Sequence, residues 1–355
     1  MPIDVLSGRF AARLFDERLL PRWSIVLGMI STSLLLALVV LAASIADGTL
    51  QLPGTGRGLL NHYGFQVSFL AAPLVLLTTY YAVSLFLRIL RDLEDLLAPG
   101  ADISLVRAIV RPHINSIFLR SRWRGMLWLF MFIGIAISVA IFSRLDAPMT
   151  YWGNDVFNAT NYRYGYLAGN LFFLGLWSLI YPIGFFYALH LTLSMEMIVA
   201  RLKGKNLLRL NFLHIDNCGG MSKFGTLNFV VMLIYFWPAL AVYAFHFTHQ
   251  YTYLSLIAGA VVVSVILVAQ SLYGIYWVYR TISNEKKQAV LLLNDQIVKA
   301  LNSTRRNFAA AGATLQYRDH VISVNAFPYS RNVATAVNIL RVAPTVLAVL
   351  RYLAP

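Results

Sequence analysis

Six long apolar runs divide this chain, and basic residues collect in every second segment between them. Each run has at least the roughly 17 residues that a helix needs to cross a bilayer core of about 30 Å. Of the 29 Lys and Arg residues, 26 lie before the first run, between the second and third, between the fourth and fifth, or after the sixth. This alternation is typical of a polytopic membrane protein whose basic loops face the cytoplasm. The runs are Trp23 to Ala46, Phe65 to Leu87, Gly125 to Ser143, Tyr166 to Met195, Phe224 to Phe247 and Tyr253 to Val278.

The composition agrees with a membrane location, because 59% of the residues are hydrophobic and only 12% are charged, against about 25% charged in soluble domains. We predict an all-α polytopic integral membrane protein with six transmembrane helices, cytoplasmic N- and C-termini and helical cytoplasmic extensions. Residues 1–280 would form the transmembrane domain with inner interfacial helices. Residues 281–355 would form a cytoplasmic helical region. The expected location is the inner membrane of a bacterium.

Three further expectations concern surfaces. Residues 1–22 carry arginines between regularly spaced apolar residues, which predicts an amphipathic helix at the inner interface. Residues 103–118 are also amphipathic but are interrupted by Pro112, so we expect a pair of short interfacial helices there. The first two apolar runs are more aliphatic than the later ones, and we expect them to face lipid.

The six runs contain no Asp, Glu, Lys or Arg, which argues against a proton-coupled transporter, since such proteins usually keep a carboxylate in the bundle. Milder polar residues concentrate in the fourth, fifth and sixth runs, which we therefore expect to line a polar path. Two alternatives stay open: the neutral residues can hydrogen-bond between helices, and Glu196, at the inner end of the fourth run, can pair with Arg201. The candidate path residues are Asn170, Tyr181, His190, Glu196, Asn228, Tyr235, Gln270 and Tyr273.

Two prolines fall in the middle of apolar runs. Pro182 in the fourth run and Pro238 in the fifth each remove a backbone donor, which kinks a helix. Gly184 follows Pro182 closely and adds flexibility, so Pro182, Gly184 and Pro238 are candidate hinges of a gate. A purely structural kink is the alternative, because prolines are common in membrane helices.

The most distinctive local motif is the inner loop at residues 214–220, just ahead of the fifth run. In an extended stretch alternate side chains face the same way, so His214, Asp216 and Cys218 form a candidate metal site, for which zinc is the expected ion. The spacing matches none of the common structural zinc patterns. One alternative is a tight turn at Gly219 and Gly220 in which Asp216 or Asn217 caps backbone N–H groups. Another is a Cys218 nucleophile with His214 as its base.

Beyond the sixth run, the chain has no Gly or Pro between Gly274 and Gly312, which predicts one helix of about 50 residues reaching Asn302. The apolar stripe on residues 281–302 needs a partner, either a second copy of the chain or the run from Ile322 to Val333. Residues 333–353 are apolar but interrupted by two arginines and a proline. We expect them on the inner surface or beneath the bundle rather than across the membrane.

These features predict a membrane channel or passive transporter for ions or small solutes. The basic inner face favours anions slightly, because positive charge at a mouth concentrates them. The alternatives are a membrane-embedded, metal-dependent enzyme or sensor built on the inner loop, and a non-conducting signalling scaffold. The expected partners are the lipid bilayer and anionic lipids at the inner face, and no nucleic acid, because the basic residues are spread over four segments without a recognition motif.

Overall fold

The computed structural model describes residues 23–46, 48, 50–51, 59–61, 63–117, 123–144, 172, 174–248, 253–302 and 308–353. Within these ranges the regular elements are helices, with one isolated antiparallel bridge between Leu97 and Leu208. Short 3₁₀ helices lie at Leu59–Asn61 and Asp92–Leu96, and a π-helix lies at Leu176–Ile180. The α-helices are α1 (Trp23–Ala46), α2 (Tyr63–Arg91), α3 (Ile103–Ile117), α4 (Trp123–Arg144), α5 (Tyr181–Gly204), α6 (Ser222–Thr248), α7 (Tyr253–Tyr273), α8 (Tyr276–Asn302), α9 (Phe308–Ser323) and α10 (Arg331–Leu353).

Four helical stretches in the described part of the chain are long and apolar enough to cross a membrane. Shorter apolar stretches lie in α1 and α4. This is the make-up of an integral membrane protein, while the count of six crossings and the cytoplasmic termini stay predictions. The amphipathic helix expected at residues 1–22 lies outside the described residues. The four stretches are Gly64–Leu96, Ser178–Gly204, Ser222–Ala241 and Val261–Asn302.

The core of the bundle is formed by α2, α5 and α6. The contact of α2 with α6 is the most extensive among the described helices, and Gly184 of α5 lies where the three meet. A Cβ at Gly184 would stand 2.7 Å from Cγ1 of Val75 and 3.1 Å from Cγ2 of Ile234, so only glycine allows this approach. Gly184 therefore has a packing role, and its role as a hinge stays a prediction.

The expectation that both early helices face lipid is wrong for α2, whose Val75, Ala82 and Phe86 are fully buried. In α1, by contrast, Leu34 and Leu38 are exposed. Aliphatic side chains are equally at home in lipid and in a protein core, so composition did not distinguish the two environments.

The basic segments meet at one end of the bundle, which we call the basic end. Ala98 donates its N–H to the carbonyl of Leu207 at 2.9 Å, and Lys223 on α6 pairs with Asp92 beyond α2 at 2.7 Å. Lys203 of α5 also contacts the Glu285 carboxylate of α8. Three of the four basic segments predicted to share a side of the membrane are thus in direct contact.

Residues 103–117 form one helix rather than the expected pair, because α3 continues through Pro112. The missing N–H of proline removes one hydrogen bond, but the apolar face of α3 is buried on both sides of it, at Val106, Val110 and Ile114. This tertiary contact holds the helix together.

The long helix after the sixth run is interrupted at Gly274 and Ile275, and α8 then continues to Asn302 as expected. The stripe on α8 packs on α9 of the same chain. The predicted partner run from Ile322 to Val333 also contacts α8, since Lys286 donates to the carbonyls of Ile322 and Val324 at 2.5 and 2.8 Å. Asn294 and Arg318 hydrogen-bond across this helical hairpin at 3.3 Å. Homo-oligomerisation through residues 281–302 stays a prediction.

A position of residues 333–353 beneath the bundle is not observed, because α10 lies along the side of α7. Their expected position outside the membrane stays a prediction. Val337 and Leu340 of α10 are buried against Met232 and Leu267, so one face of α10 completes the packing of α6 and α7. Part of the apolar surface of residues 333–353 is therefore buried in a helix–helix contact.

Candidate functional site

A chain of neutral polar side chains connects α5, α6 and α7 inside the bundle. The amide nitrogen of Gln270 on α7 donates to Oγ1 of Thr192 on α5 at 2.7 Å and to Oδ1 of Asn228 on α6 at 3.1 Å. Thr192 and Asn228 are buried, and Gln270 is half-buried. The structure thus brings Asn228 and Gln270 into direct contact, and both are predicted path residues.

The chain continues to Tyr329, in the segment between α9 and α10. Nδ2 of Asn228 donates to the Tyr329 hydroxyl at 2.8 Å, and that hydroxyl donates to the Ser271 carbonyl at 3.1 Å. Arg341 of α10 donates through Nε to Oγ of Ser271 at 2.8 Å. Burial raises the pKa of Tyr329, against smaller lowering effects of Asn228 and Arg341, so this hydroxyl stays a neutral donor. We call Thr192, Gln270, Asn228, Tyr329, Ser271 and Arg341 the polar network.

Glu196 lies one turn beyond Thr192 on α5 and is only 4% exposed. Its Oε2 accepts the backbone N–H of Trp277 at 2.7 Å, in the first turn of α8. A carboxylate is favourable there because the free N–H groups at a helix N-terminus carry partial positive charge. The other oxygen, Oε1, has no hydrogen-bond partner among the described residues. The alternative pairing of Glu196 with Arg201 is not formed there, and Arg201 is exposed.

Gly274 allows the break between α7 and α8 to approach the polar network. A Cβ on Gly274 would stand 2.1 Å from Oδ1 of Asn228 and 2.9 Å from Nε2 of Gln270. Only a hydrogen atom fits at this position. Gly274, near the end of the sixth run, therefore allows the Asn228 amide to lie against the break between α7 and α8.

A cavity of about 500 Å³ opens at the basic end beside Tyr329. It separates the inner loop from the start of α10, and Arg331 is the basic residue on its wall. The acidic group on the wall is Asp216, whose carboxylate is already occupied by backbone donors. The complete lining is Asp216, Asn217, Cys218, Asn325, Tyr329, Ser330, Arg331, Ala334, Thr335 and Asn338.

The Asp216 carboxylate organises the inner loop. Oδ1 accepts the N–H groups of Cys218 at 2.9 Å and Gly220 at 3.0 Å, and Oδ2 accepts that of Ser222, the first residue of α6, at 3.0 Å. Partial burial raises the pKa of Asp216, but these N–H groups and His214 outweigh it and lower the pKa from 3.8 to about 2. Gly219 and Gly220 adopt φ of 68° and 90°, which favour glycine. This is the geometry of the turn-and-cap alternative.

The predicted metal site at His214, Asp216 and Cys218 is not assembled. No group of three His, Cys, Asp or Glu side chains within the described ranges is arranged to hold a metal ion. The Asp216 oxygens are directed at backbone N–H groups, and Sγ of Cys218 is directed at the Phe327 carbonyl, 3.6 Å away. Burial and the nearby Asp216 charge raise the pKa of Cys218 to about 11, which disfavours both a zinc-binding thiolate and a nucleophile.

We expect Cys218 to react slowly with maleimides at pH 7. A rise in pKa from 9.0 to about 11 lowers the thiolate fraction about 100-fold, so alkylation should be at least that much slower in the folded protein than in denaturant. Because Cys218 is the one cysteine of the chain, total labelling measured by mass spectrometry reports it directly. Equal rates would contradict this buried environment, and labelling that a chelator accelerates would restore the metal hypothesis.

The other predicted path residues lie elsewhere. His190 is buried in a separate cluster, where Nε2 contacts Oγ of Ser116 at 2.5 Å. Tyr235 stacks on Phe185, with ring centroids 5.5 Å apart. Tyr181 is buried next to the π-helix, whereas Tyr273 is 57% exposed. Asn170 lies outside the described residues.

Of the candidate hinges, Pro182 lies two residues beyond the π-helix, in the first turn of α5. Proline has no N–H, so residue 182 donates no backbone hydrogen bond to the carbonyl of residue 178. The N–H of Tyr181 bonds to the carbonyl of Leu176, five residues earlier, as in a π-helix. Pro238 lies inside α6, which is continuous from Ser222 to Thr248. The proline in the fourth run therefore coincides with a change of helix type, and the one in the fifth does not.

Sequence reasoning missed Thr192, Tyr329 and Arg341 of the polar network. Nothing in the sequence near Thr192 marks it, because threonine is common in apolar helices. Arg341 did carry a signal, since an arginine inside an apolar stretch usually has a polar partner. Comparison of the chain with protein-family models, with curated proteins and with solved structures finds no match. The functional conclusion therefore depends on the geometry of the polar network and its cavity.

Proposed function

We propose that this protein is a membrane channel or passive transporter for ions or small solutes, with anions preferred, and that the polar network is the inner part of its path. The observation that carries the proposal is the continuity of hydrogen-bonding side chains from the cavity at the basic end into the bundle. Tyr329 lines the cavity and bonds to Asn228, which is bonded to Gln270. Neutral donors and acceptors at such positions can replace part of the hydration of a permeating species.

Anion preference is supported by the charges around the cavity. Arg331 lines its wall, and Arg341 borders the polar network through Ser271. The Asp216 carboxylate contributes one negative charge against the two positive charges of these arginines. A mouth with this balance concentrates anions over cations.

A passive mechanism is supported by the chemistry of the connected side chains. Thr192, Gln270 and Asn228 have no ionisable group, and Tyr329 has its pKa raised by burial, so none of them relays a proton near neutral pH. Glu196 is held by the N-terminus of α8. The members of the polar network on α5, α6 and α7 therefore include no ionisable side chain.

We expect Asn228→Leu and Gln270→Leu to reduce halide flux into reconstituted vesicles at least about 10-fold, because each removes hydrogen-bonding groups that a desolvated ion needs. Gln288→Leu, at an exposed site on α8, is the matched control and should leave flux unchanged. Asn228→Asp, which keeps the size of the side chain, should shift the reversal potential towards cations. Silent vesicles over a range of voltage and pH, or full flux in correctly folded Asn228→Leu, would overturn the proposal.

A further inference from the structure

The C-terminal helix α10 runs antiparallel to α7, a helix that is long and apolar enough to cross a membrane together with its continuation. Arg341 bonds to Ser271 near the end of α7, and one turn later Oγ1 of Thr345 lies 3.0 Å from Oγ of Ser264. Residue numbers rise on α10 as they fall on α7. The two helices therefore lie side by side from the basic end towards the other end of the bundle.

The two helices are long enough to lie side by side over most of the length of α7. From Thr345 to Leu353, α10 continues for eight residues, or about 12 Å, which brings its end to the level of about residue 256 of α7. Because α7 begins at Tyr253, the ends nearly coincide. The 23 residues of α10 span about 35 Å, enough for a bilayer core of about 30 Å.

The two faces of α10 differ in what they touch. Val337 and Leu340 are buried against α6 and α7. On the outward face Ile339, Val342 and Val346 are exposed. Alongside them, α7 exposes apolar residues at similar depth, including Val262, Val265 and Ile266. Apolar side chains thus lie exposed on both helices at similar depth, which matches lipid hydrocarbon and not water.

Arg341, one of the two arginines that argued against insertion, is accommodated by polar partners. Its Nε donates to Ser271 and its Nη1 donates to Oδ1 of Asn338 at 3.1 Å. Ser271 is six residues, or about 9 Å, before Trp277, which stacks with Arg280 where the basic segment begins. An arginine at this depth can direct its charged end towards the interface while its stem stays in the apolar layer.

We propose that α10 is an additional membrane-crossing helix, that its exposed face contacts lipid acyl chains, and that its two ends lie on opposite sides of the membrane. The end at Arg331 then shares the basic end with the α8–α9 hairpin, and the end at Leu353 lies on the other side. This assignment does not depend on conduction, since a non-conducting protein would have the same topology.

The topology is tested by cysteine labelling in intact cells on a Cys218→Ala background. Ala354→Cys lies just beyond α10, and Asn302→Cys, at the exposed end of α8, is the matched control. With a membrane-impermeant maleimide, one of the two should label in intact cells and the other only after permeabilisation. If both label under the same condition, the two positions share a side of the membrane and the proposal is wrong.

Contact with lipid is tested separately by nitroxide labels in reconstituted bilayers. Val346→Cys, 48% exposed on α10, is compared with Leu292→Cys, 66% exposed on α8. For each label we compare its accessibility to oxygen with its accessibility to a water-soluble nickel chelate. This oxygen-to-nickel ratio should be at least about fivefold higher at position 346 than at position 292. Equal access of the nickel reagent to both positions would place α10 in water and overturn the proposal.

Discussion

Gly225→Ala is expected to lower the free energy of unfolding by about 3 kcal/mol, because an added methyl has no space where α6 meets the segment ahead of α10. A Cβ at Gly225 would stand 1.9 Å from the carbonyl oxygen of Pro328 and 2.6 Å from its carbon. These are backbone atoms and cannot rotate away. The segment must move, and Tyr329, the next residue, then loses its bond to Asn228.

The measurement is denaturant unfolding in detergent micelles, followed by tryptophan fluorescence. Gly312→Ala is the control, since nothing lies within 4 Å of its Cβ position inside α9. There the substitution should raise stability by about 0.5 to 1 kcal/mol, because alanine has the higher helix propensity. Equal effects of the two substitutions would mean that α6 and the segment at Pro328 are not in this close contact.

Asp216→Ala is expected to lower the free energy of unfolding by about 3 kcal/mol as well, because the N–H groups of Cys218, Gly220 and Ser222 lose their shared acceptor. The start of α6 should fray, and the cavity beside Tyr329 should lose its wall. Asp295→Ala is the control, since Asp295 forms only an exposed pair with Lys299 four residues later. Such a pair contributes about 0.3 to 0.5 kcal/mol.

The same carboxylate predicts an acid dependence of stability. The pKa of Asp216 is lower in the folded state, about 2, than its ordinary 3.8, so its contribution is fully present above about pH 4 and is lost as the pH falls towards 2. Asp216→Ala should flatten this part of the stability curve, whereas Asp295→Ala should not. An unchanged slope in Asp216→Ala would show that the carboxylate is not the group protonated in this range.

Much of the helical layout followed from the sequence. The first apolar run coincides with α1, and the fifth lies within α6, because long apolar segments must satisfy their backbone groups internally. The loop at 214–220 was readable as a turn, since Asp216 and Asn217 shortly before two glycines are local turn chemistry. The break at Gly274 was missed, because it depends on the Asn228 amide that approaches from another helix.

The candidate site was readable only as a set of residue types. Asn228 and Gln270 stand out in the sequence because amides are rare in apolar runs, and the structure brings them together. Their partners Thr192 and Tyr329, and Arg341 that bonds to the neighbouring Ser271, were not found, since Tyr329 and Arg341 lie 101 and 70 positions from the residues they bond. Contacts over such distances are set by helix packing, which a single sequence does not encode in any local pattern.

By itself, the sequence determined that the chain is helical and apolar enough for a membrane, and which loop turns tightly before α6. Only the tertiary structure decided that α2 is buried and α1 exposed, that Glu196 caps α8, and that α10 lies along α7. The physical reason is the same in each case. An aliphatic side chain is equally stable against lipid and against protein, and a buried polar side chain needs a hydrogen-bond partner of any kind. The environment and the partner of each side chain are therefore fixed by which helices come into contact.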